Sequence, residues 1–249
     1  MSGADDVRVD MEKKNAKRFY KNVTIEECQD GFEVLLDDRR LKTPAKAPLN
    51  LPNKALAEAI RGEFDAQIDV IEAETMPIFS LAATAIDRVS TQRTTLDAEL
   101  VRFGHNDLIS YRCPADEDEV LAARQAEMWG QIQQWMTDRY NVSLLAFDGV
   151  MPQSQPTEIK APLESAVRRF DDWRYVTLYR ATTLTGSLSL GLRFAQGDFT
   201  VSDMMAYAFL DDLYQEEKWG ADHFAVERRG HIETELKQAH DYLMLLETP

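Results

Sequence analysis

From Arg18 to Ile68 the chain runs RFYKNVTIEECQDGFEVLLDDRRLKTPAKAPLNLPNKALAEAIRGEFDAQI, and the spacing of its apolar residues changes once, at Leu51-Pro52. Before that point the period is that of strands. Phe19, Val23 and Ile25 fall on alternating positions, Gln29-Asp30-Gly31 supplies a turn, Phe32-Glu33-Val34-Leu35-Leu36 follows, and Asp37-Asp38-Arg39 turns the chain again. This predicts a meander of short antiparallel strands. After Pro52 the period is helical: Asn53 is placed as an N-cap, and Leu56, Ile60, Phe64 and Ile68 recur every four residues.

Outward from this stretch the chain reads as mostly helical. Met76-Pro77 restarts a helix that uses Leu81, Ala85, Ile86 and Val89, and another follows around Leu96, Leu100 and Phe103. Acidic Asp116 to Glu119 sits where negative charge favours a helix start, ahead of Leu121, Met128, Ile132, Trp135 and Met136. Met151 to Pro162, with prolines at 152, 156 and 162, is the best linker candidate. A helix carrying Leu163, Val167 and Phe170 is expected after Pro162. Three or four more follow, the last a long amphipathic helix with Ile232, Leu236, Ala239, Leu243 and Leu246. The fold class is therefore α+β: residues 1–17 a flexible N-terminus, 18–75 a β-rich domain with one helix, and 76–249 a larger all-helical domain.

With 249 residues, 44% of them hydrophobic, the chain is long and apolar enough to bury a core. Its 43 acidic against 28 basic residues give a formal charge of −15. That balance argues against nonspecific binding to nucleic acid or anionic membranes, which requires clustered cations. No apolar run is long enough for a membrane helix, and MSGADDVRVDMEKKNAK resembles neither a secretory signal nor an Arg-rich, acid-poor presequence. A bacterial cytoplasm is expected, or the mitochondrial matrix for a trimmed organelle protein. Cys28 and Cys113 stand far apart with no CxxC, so no disulfide framework or zinc ribbon is expected.

Neither GxxxxGK(S/T) nor GxGxxG occurs, which removes the usual phosphate cradles, and Gly186-Ser187-Leu188-Ser189-Leu190-Gly191 has the wrong spacing for a nucleophile elbow. Neither an enzyme nor a cofactor is expected. His223, Glu227 and His231 fall at i, i+4 and i+8, one helix face that could hold a metal in a small hydrolase. Flanked by Arg228 and Arg229 and lacking HExxH, the stripe is read as a solvated face. Thr183, Ser187, Gly191 and Ala195 recur every four residues beside Leu184, Leu188 and Leu192, and so predict close helix packing. Between Ser202, a candidate cap, and Gly220, one helix would place Met205, Ala208, Phe209, Asp212, Glu216 and Trp219 on one side. Carboxylates interrupting an apolar face need partners, either internal cations or cations on another protein.

Arg18-Phe-Tyr-Lys21, Leu36-Asp-Asp-Arg-Arg-Leu-Lys-Thr-Pro44, Glu63-Phe-Asp-Ala-Gln67, Met76-Pro77, Thr84-Ala-Ile-Asp-Arg88, Tyr111-Arg112, Thr185-Gly-Ser187 and Leu210-Asp-Asp-Leu-Tyr-Gln-Glu-Glu-Lys-Trp-Gly220 occur in this order. Together they resemble the ATP synthase assembly chaperones that handle the alpha subunit of the catalytic head. The resemblance runs from about Arg18 to the C-terminus. It implies a small β-rich domain followed by a larger helical one, an alphaproteobacterial-type setting, and a monomer that binds the unassembled alpha subunit without hydrolysing ATP. It assigns partner binding to Asp211, Asp212, Tyr214, Gln215, Glu216 and Trp219, with an essential acid at Asp211 or Asp212. Two departures are present: the family usually has Trp where Phe64 stands, and commonly Glu-Glu where Asp211-Asp212 stands. The competing readings are the metal-dependent hydrolase and an interaction module for some other protein.

Overall fold

The structure, a computed structural model, describes residues 7–8, 16–149, 151 and 153–248. The expected flexible N-terminus thus falls largely outside the described residues. Two compact units emerge, residues 1–93 with 241–249 and residues 94–240. The boundary drawn from sequence at 75/76 lies inside the first.

In the first unit, β1 (Val7–Arg8), β3 (Val23–Cys28), β4 (Gly31–Leu36) and β5 (Arg39–Lys42) form a sheet in the order β1-β5-β4-β3, while β2 (Ala16–Lys17) pairs with β6 (Val70–Ile71). The β3-β4-β5 run is the expected antiparallel meander, and β1 joins it in parallel. Gly31 follows the Gln29-Asp30 turn at φ +133°, where a Cβ would lie 2.1 Å from the Leu51 carbonyl oxygen. Phe32 and Leu51 pair through both backbone bonds at that point, so the turn demands glycine. Helix α1 (Lys54–Asp65) lies against β3 and β4 and buries Leu56, Ala57, Ile60 and Phe64, with the Asn53 side chain accepting the Leu56 N–H at 2.9 Å. The predicted fourth rung is wrong. The helix stops at Asp65 and Ile68 is 81% exposed. At that end the Arg18 guanidinium donates to the carbonyls of Asp65, the last helical residue, and of Gln67, which gives the chain leaving the helix partners outside it.

Helix α2 (Pro77–Thr84) starts without a side-chain cap from Met76, and the Glu63 carboxylate supplies one from α1, accepting the N–H groups of Ile78 at 2.7 Å and Phe79 at 2.8 Å. Burial outweighs these two bonds and lifts the Glu63 pKa to about 7. A carboxyl group whose folded pKa lies above its unfolded one favours the folded state most when protonated. The contribution therefore grows as pH falls from about 7 toward 4.5, by at most roughly 3 kcal/mol. The difference in unfolding free energy between the parent and Glu63→Gln should follow that window and be flat above it. A difference independent of pH would place the pKa in the ordinary range. A short π-helical turn (Ala85–Val89) follows, in which Asp87 accepts the Thr43 hydroxyl at 2.6 Å and the Ala45 N–H at 3.0 Å.

The second unit holds α3 (Ser90–His105) from Thr94 onward, α4 (Glu119–Tyr140), α5 (Lys160–Arg168), α6 (Asp172–Thr185), α7 (Leu188–Ala195), α8 (Val201–Ala208), α9 (Leu210–Trp219) and α10 (His223–Glu247) up to His240. One two-residue parallel pair, β7 (Tyr111–Arg112) with β8 (Phe147–Asp148), is set among them. The class is α+β, a small β-rich region followed by a mainly helical one. Among the described residues no helix is long and apolar enough to cross a membrane. Helix α7 is the centre of this unit. Seven of its eight residues are buried, against α4, α6 and α8.

Three expectations about helix ends need correction. The stripe from Thr183 to Ala195 spans two helices, not one, because Gly186 at φ +74° ends α6 and Ser187 caps α7. Pro162 lies within the first turn of α5 rather than before it, where its missing N–H has no helical acceptor to lose. Thr200, not Ser202, caps α8, in a capping box with Asp203.

Candidate functional site

The single helix expected over 202–220 is broken at Phe209, where φ −113° and ψ 26° separate α8 from α9. The apolar face from Met205 and Ala208 therefore does not run on through Asp212, Glu216 and Trp219. Helix α9 packs on α4 through Leu210 and Tyr214, its two buried residues one turn apart. What remains of the predicted block is distributed around α9, and each member meets a different environment.

Asp211 is half-buried and accepts from the Gln125 amide at 2.7 Å, while the Gln125 carbonyl oxygen accepts the Cys113 N–H at 2.7 Å. Burial raises the Asp211 pKa; the Gln125 bond opposes the rise and neighbouring Asp212 adds to it. Asp212 points outward and pairs with Arg228 of α10 at 3.1 Å, both side chains well exposed. Glu216 bonds to Arg229, which is itself buried. Tyr214 and Lys218 both donate to Asp118, the N-cap of α4, at 2.8 and 2.7 Å. The Lys218 bond, the Leu121 N–H and the Tyr214 hydroxyl together hold the Asp118 pKa down at about 2. Glu217 pairs with Arg124 at 2.7 Å. Gln215 is exposed, and so is Trp219, at 72%.

Asp211, Asp212 and Glu216 all have partners within the chain. Asp211 and Glu216 serve the fold through Gln125 and Arg229. Asp212 has an internal partner too, but one that water reaches, so its pair contributes about 0–1 kcal/mol and can be exchanged for another cation. Arg229 was expected on a solvated face and is buried because Glu216 neutralises it. His223 and His231 are exposed, with His231 4.0 Å from Glu227. Among the described residues no group of three or more His, Cys, Asp and Glu is placed to hold a metal ion.

Sequence reasoning missed Gln125, Asp118, Arg228 and Arg124 as members of this region. The Asp118 signal was present, an acid at a helix start. Gln125 lies 86 residues from Asp211 and gives no local signal.

A family model described as ATP12 chaperone protein matches residues 17–137, a span that ends before α9. The mitochondrial protein atp12 of Schizosaccharomyces pombe is 27% identical over 217 residues, 82% of this chain and 74% of that one. The crystal structure of Atp12 from Paracoccus denitrificans is 34% identical, with a TM-score of 0.86 over 92% of this chain and 98% of that one. An aspartate-to-lysine mutant of the same Paracoccus protein matches equally well, at 33% identity and a TM-score of 0.86 over 92% of this chain and 97% of that one.

Proposed function

The chain belongs to the ATP12 chaperone family, acting in assembly of the ATP synthase catalytic head, and from that membership we propose that its client is the unassembled alpha subunit. An orphan subunit exposes an apolar interface that aggregates, and a chaperone that binds it withdraws the exposed form by mass action. The protein does this as a monomer, in the bacterial cytoplasm or mitochondrial matrix, without cofactor and without catalysing a reaction. The observation that carries the reading is the state of Asp212, a carboxylate paired with the exposed Arg228 and therefore able to pass to a cation on the client. Such an exchange rewards a client with a matching cation and penalises one without it.

The test mixes separately expressed alpha subunit with the parent or a variant and scores what stays soluble, with thermal melting as the folding control. Asp212→Lys should melt within about 1 kcal/mol of the parent, since it removes a surface pair. It should abolish capture, because losing one partner of a desolvated charge pair lowers affinity by about 2–5 kcal/mol and reversal adds repulsion. Asp211→Lys lies about 100° around the helix and strips the Gln125 amide of its acceptor, so its first effect is on stability. A folded Asp212→Lys that protects the alpha subunit as well as the parent does would remove the acid from recognition.

A further inference from the structure

Asn53 does more than start α1. Its side-chain oxygen accepts the Leu56 N–H at 2.9 Å, while its amide nitrogen lies 2.8, 3.3 and 3.1 Å from the carbonyl oxygens of Leu245, Leu246 and Thr248. One side chain thus closes the N-terminus of α1 and the last turn of α10, both within the first unit, across 192 to 195 residues of sequence. The last four carbonyls of a helix lack helical partners, and α10 has no basic residue in its final turn to meet them. The Thr248 hydroxyl donates to the Met244 carbonyl at 3.0 Å, and Asn53 serves the next two. The positive end of one helix dipole and the negative end of another meet at this residue, which favours the closed arrangement.

Burial changes abruptly at the same place. Tyr242 and Leu243 are fully buried, Met244 is 37% exposed, Leu245 and Leu246 are half-buried, and Glu247 and Thr248 are exposed. Packing therefore thins from Met244 onward, where Asn53 takes hold. The residue type matters as well. Asn, Asp and Ser are about equally good at the start of a helix. Asp has no donor and Ser a single hydroxyl hydrogen, whereas Asn offers an acceptor for α1 and two hydrogens for α10.

We propose that residues 244–248 form a releasable strap on the first unit, latched by Asn53, which opens as a local step while Tyr242 and Leu243 stay buried. Opening uncovers the start of α1 and frees Met244, Leu245 and Leu246 together, so the unit has a closed and an open form that differ in this fastening. The device is independent of which client the protein holds.

The experiment follows amide hydrogen exchange by NMR in the full-length parent, in Asn53→Asp and in Asn53→Ala. In the parent, the amides of Leu246 and Glu247 should exchange at a rate that low denaturant leaves unchanged, the mark of local opening, while Leu243 should follow global unfolding. Asn53→Asp keeps the acceptor for Leu56 and loses both donors. Leu246 and Glu247 should then exchange at least about 10-fold faster, with Leu56 and Leu243 unchanged. Asn53→Ala should speed Leu56 as well. Exchange at Leu246 and Glu247 that Asn53→Asp leaves unaltered would overturn the latch. If Leu243 accelerates in step with them, or all three respond to denaturant alike in the parent, the strap has no opening of its own and the proposal fails. The parent measurement decides this second point even for a variant that does not fold.

Discussion

Replacing Asp107 by Ala should lower the unfolding free energy by about 3–5 kcal/mol, measured by denaturant unfolding. Asp107 is fully buried, and its Oδ2 accepts both the N–H and the hydroxyl of Ser189, at 2.9 and 2.8 Å. Its Oδ1 accepts the Ile109 N–H at 3.3 Å, and the Ser187 hydroxyl also bonds to the carboxyl group. The acceptor thus sits at the N-terminus of α7, where four N–H groups lack helical partners and the helix dipole favours negative charge. Burial nonetheless raises its pKa, outweighing the hydrogen bonds from Ser187, Ser189 and Ile109 that lower it. Ala would leave the Ser189 N–H and two hydroxyls in a dry interior with nothing to bond to, each worth about 1–3 kcal/mol. Asn keeps one carbonyl acceptor and the shape of the side chain, so Asp107→Asn should lose clearly less. An Ala variant within about 1 kcal/mol of the parent would mean that water replaces the carboxylate there.

Asp107 carried no signal in the sequence, and the reason is general to this chain. Periodicity reports which face of an element is apolar, so Leu56, Ile60 and Phe64 identified α1, and Leu121, Ile132 and Met136 identified α4, although Met128 and Trp135 of the same reading are only half-buried and Trp129 is buried in their place. It does not report where a helix stops unless Gly or Pro stands there. The arginine bound at the end of α1 is Arg18, 47 residues from the carbonyl at Asp65. The break at Phe209 falls in a run without Gly or Pro, and the four-residue spacing passes across it unchanged. At Thr185-Gly186-Ser187 the stop signal was present, yet the stripe of small residues continued through it and masked the turn. The motifs that carried the family resemblance proved to be largely fasteners. Glu63 caps α2, Gln67 ties Glu63 to Thr75 and Glu72, and Asp87 holds Thr43 and Ala45. They identify the fold. The residues of the predicted acidic block, by contrast, meet environments set by partners distant in sequence, such as Gln125 for Asp211, Arg228 for Asp212 and Arg229 for Glu216.

The other large effect is expected at Gly191, where Leu should destabilise by about 3 kcal/mol or more. A Cβ there would stand 2.2 Å from the Thr182 hydroxyl oxygen and 3.1 Å from the Thr182 backbone nitrogen, so the helix opposite, α6, is already in contact. The hydroxyl could rotate aside, but the backbone cannot. The additional carbons of Leu would have to separate α6 from α7 in the part of the unit where α7 is covered on nearly every side. Gly197 provides the contrast. It ends the turn after α7 at φ +82° with open space where a Cβ would be, so Gly197→Ala carries only the strain of a left-handed residue, about 1–2 kcal/mol. The small-residue spacing thus pointed to a real close approach, although between two helices rather than along one. A Thr182→Ala background separates the causes. Removing that hydroxyl should soften Gly191→Ala, giving a favourable coupling in the double-mutant cycle, and should leave Gly197→Ala unchanged. If Gly197→Ala melted lower than Gly191→Leu, the backbone turn rather than the α6–α7 contact would be the tighter constraint in this unit.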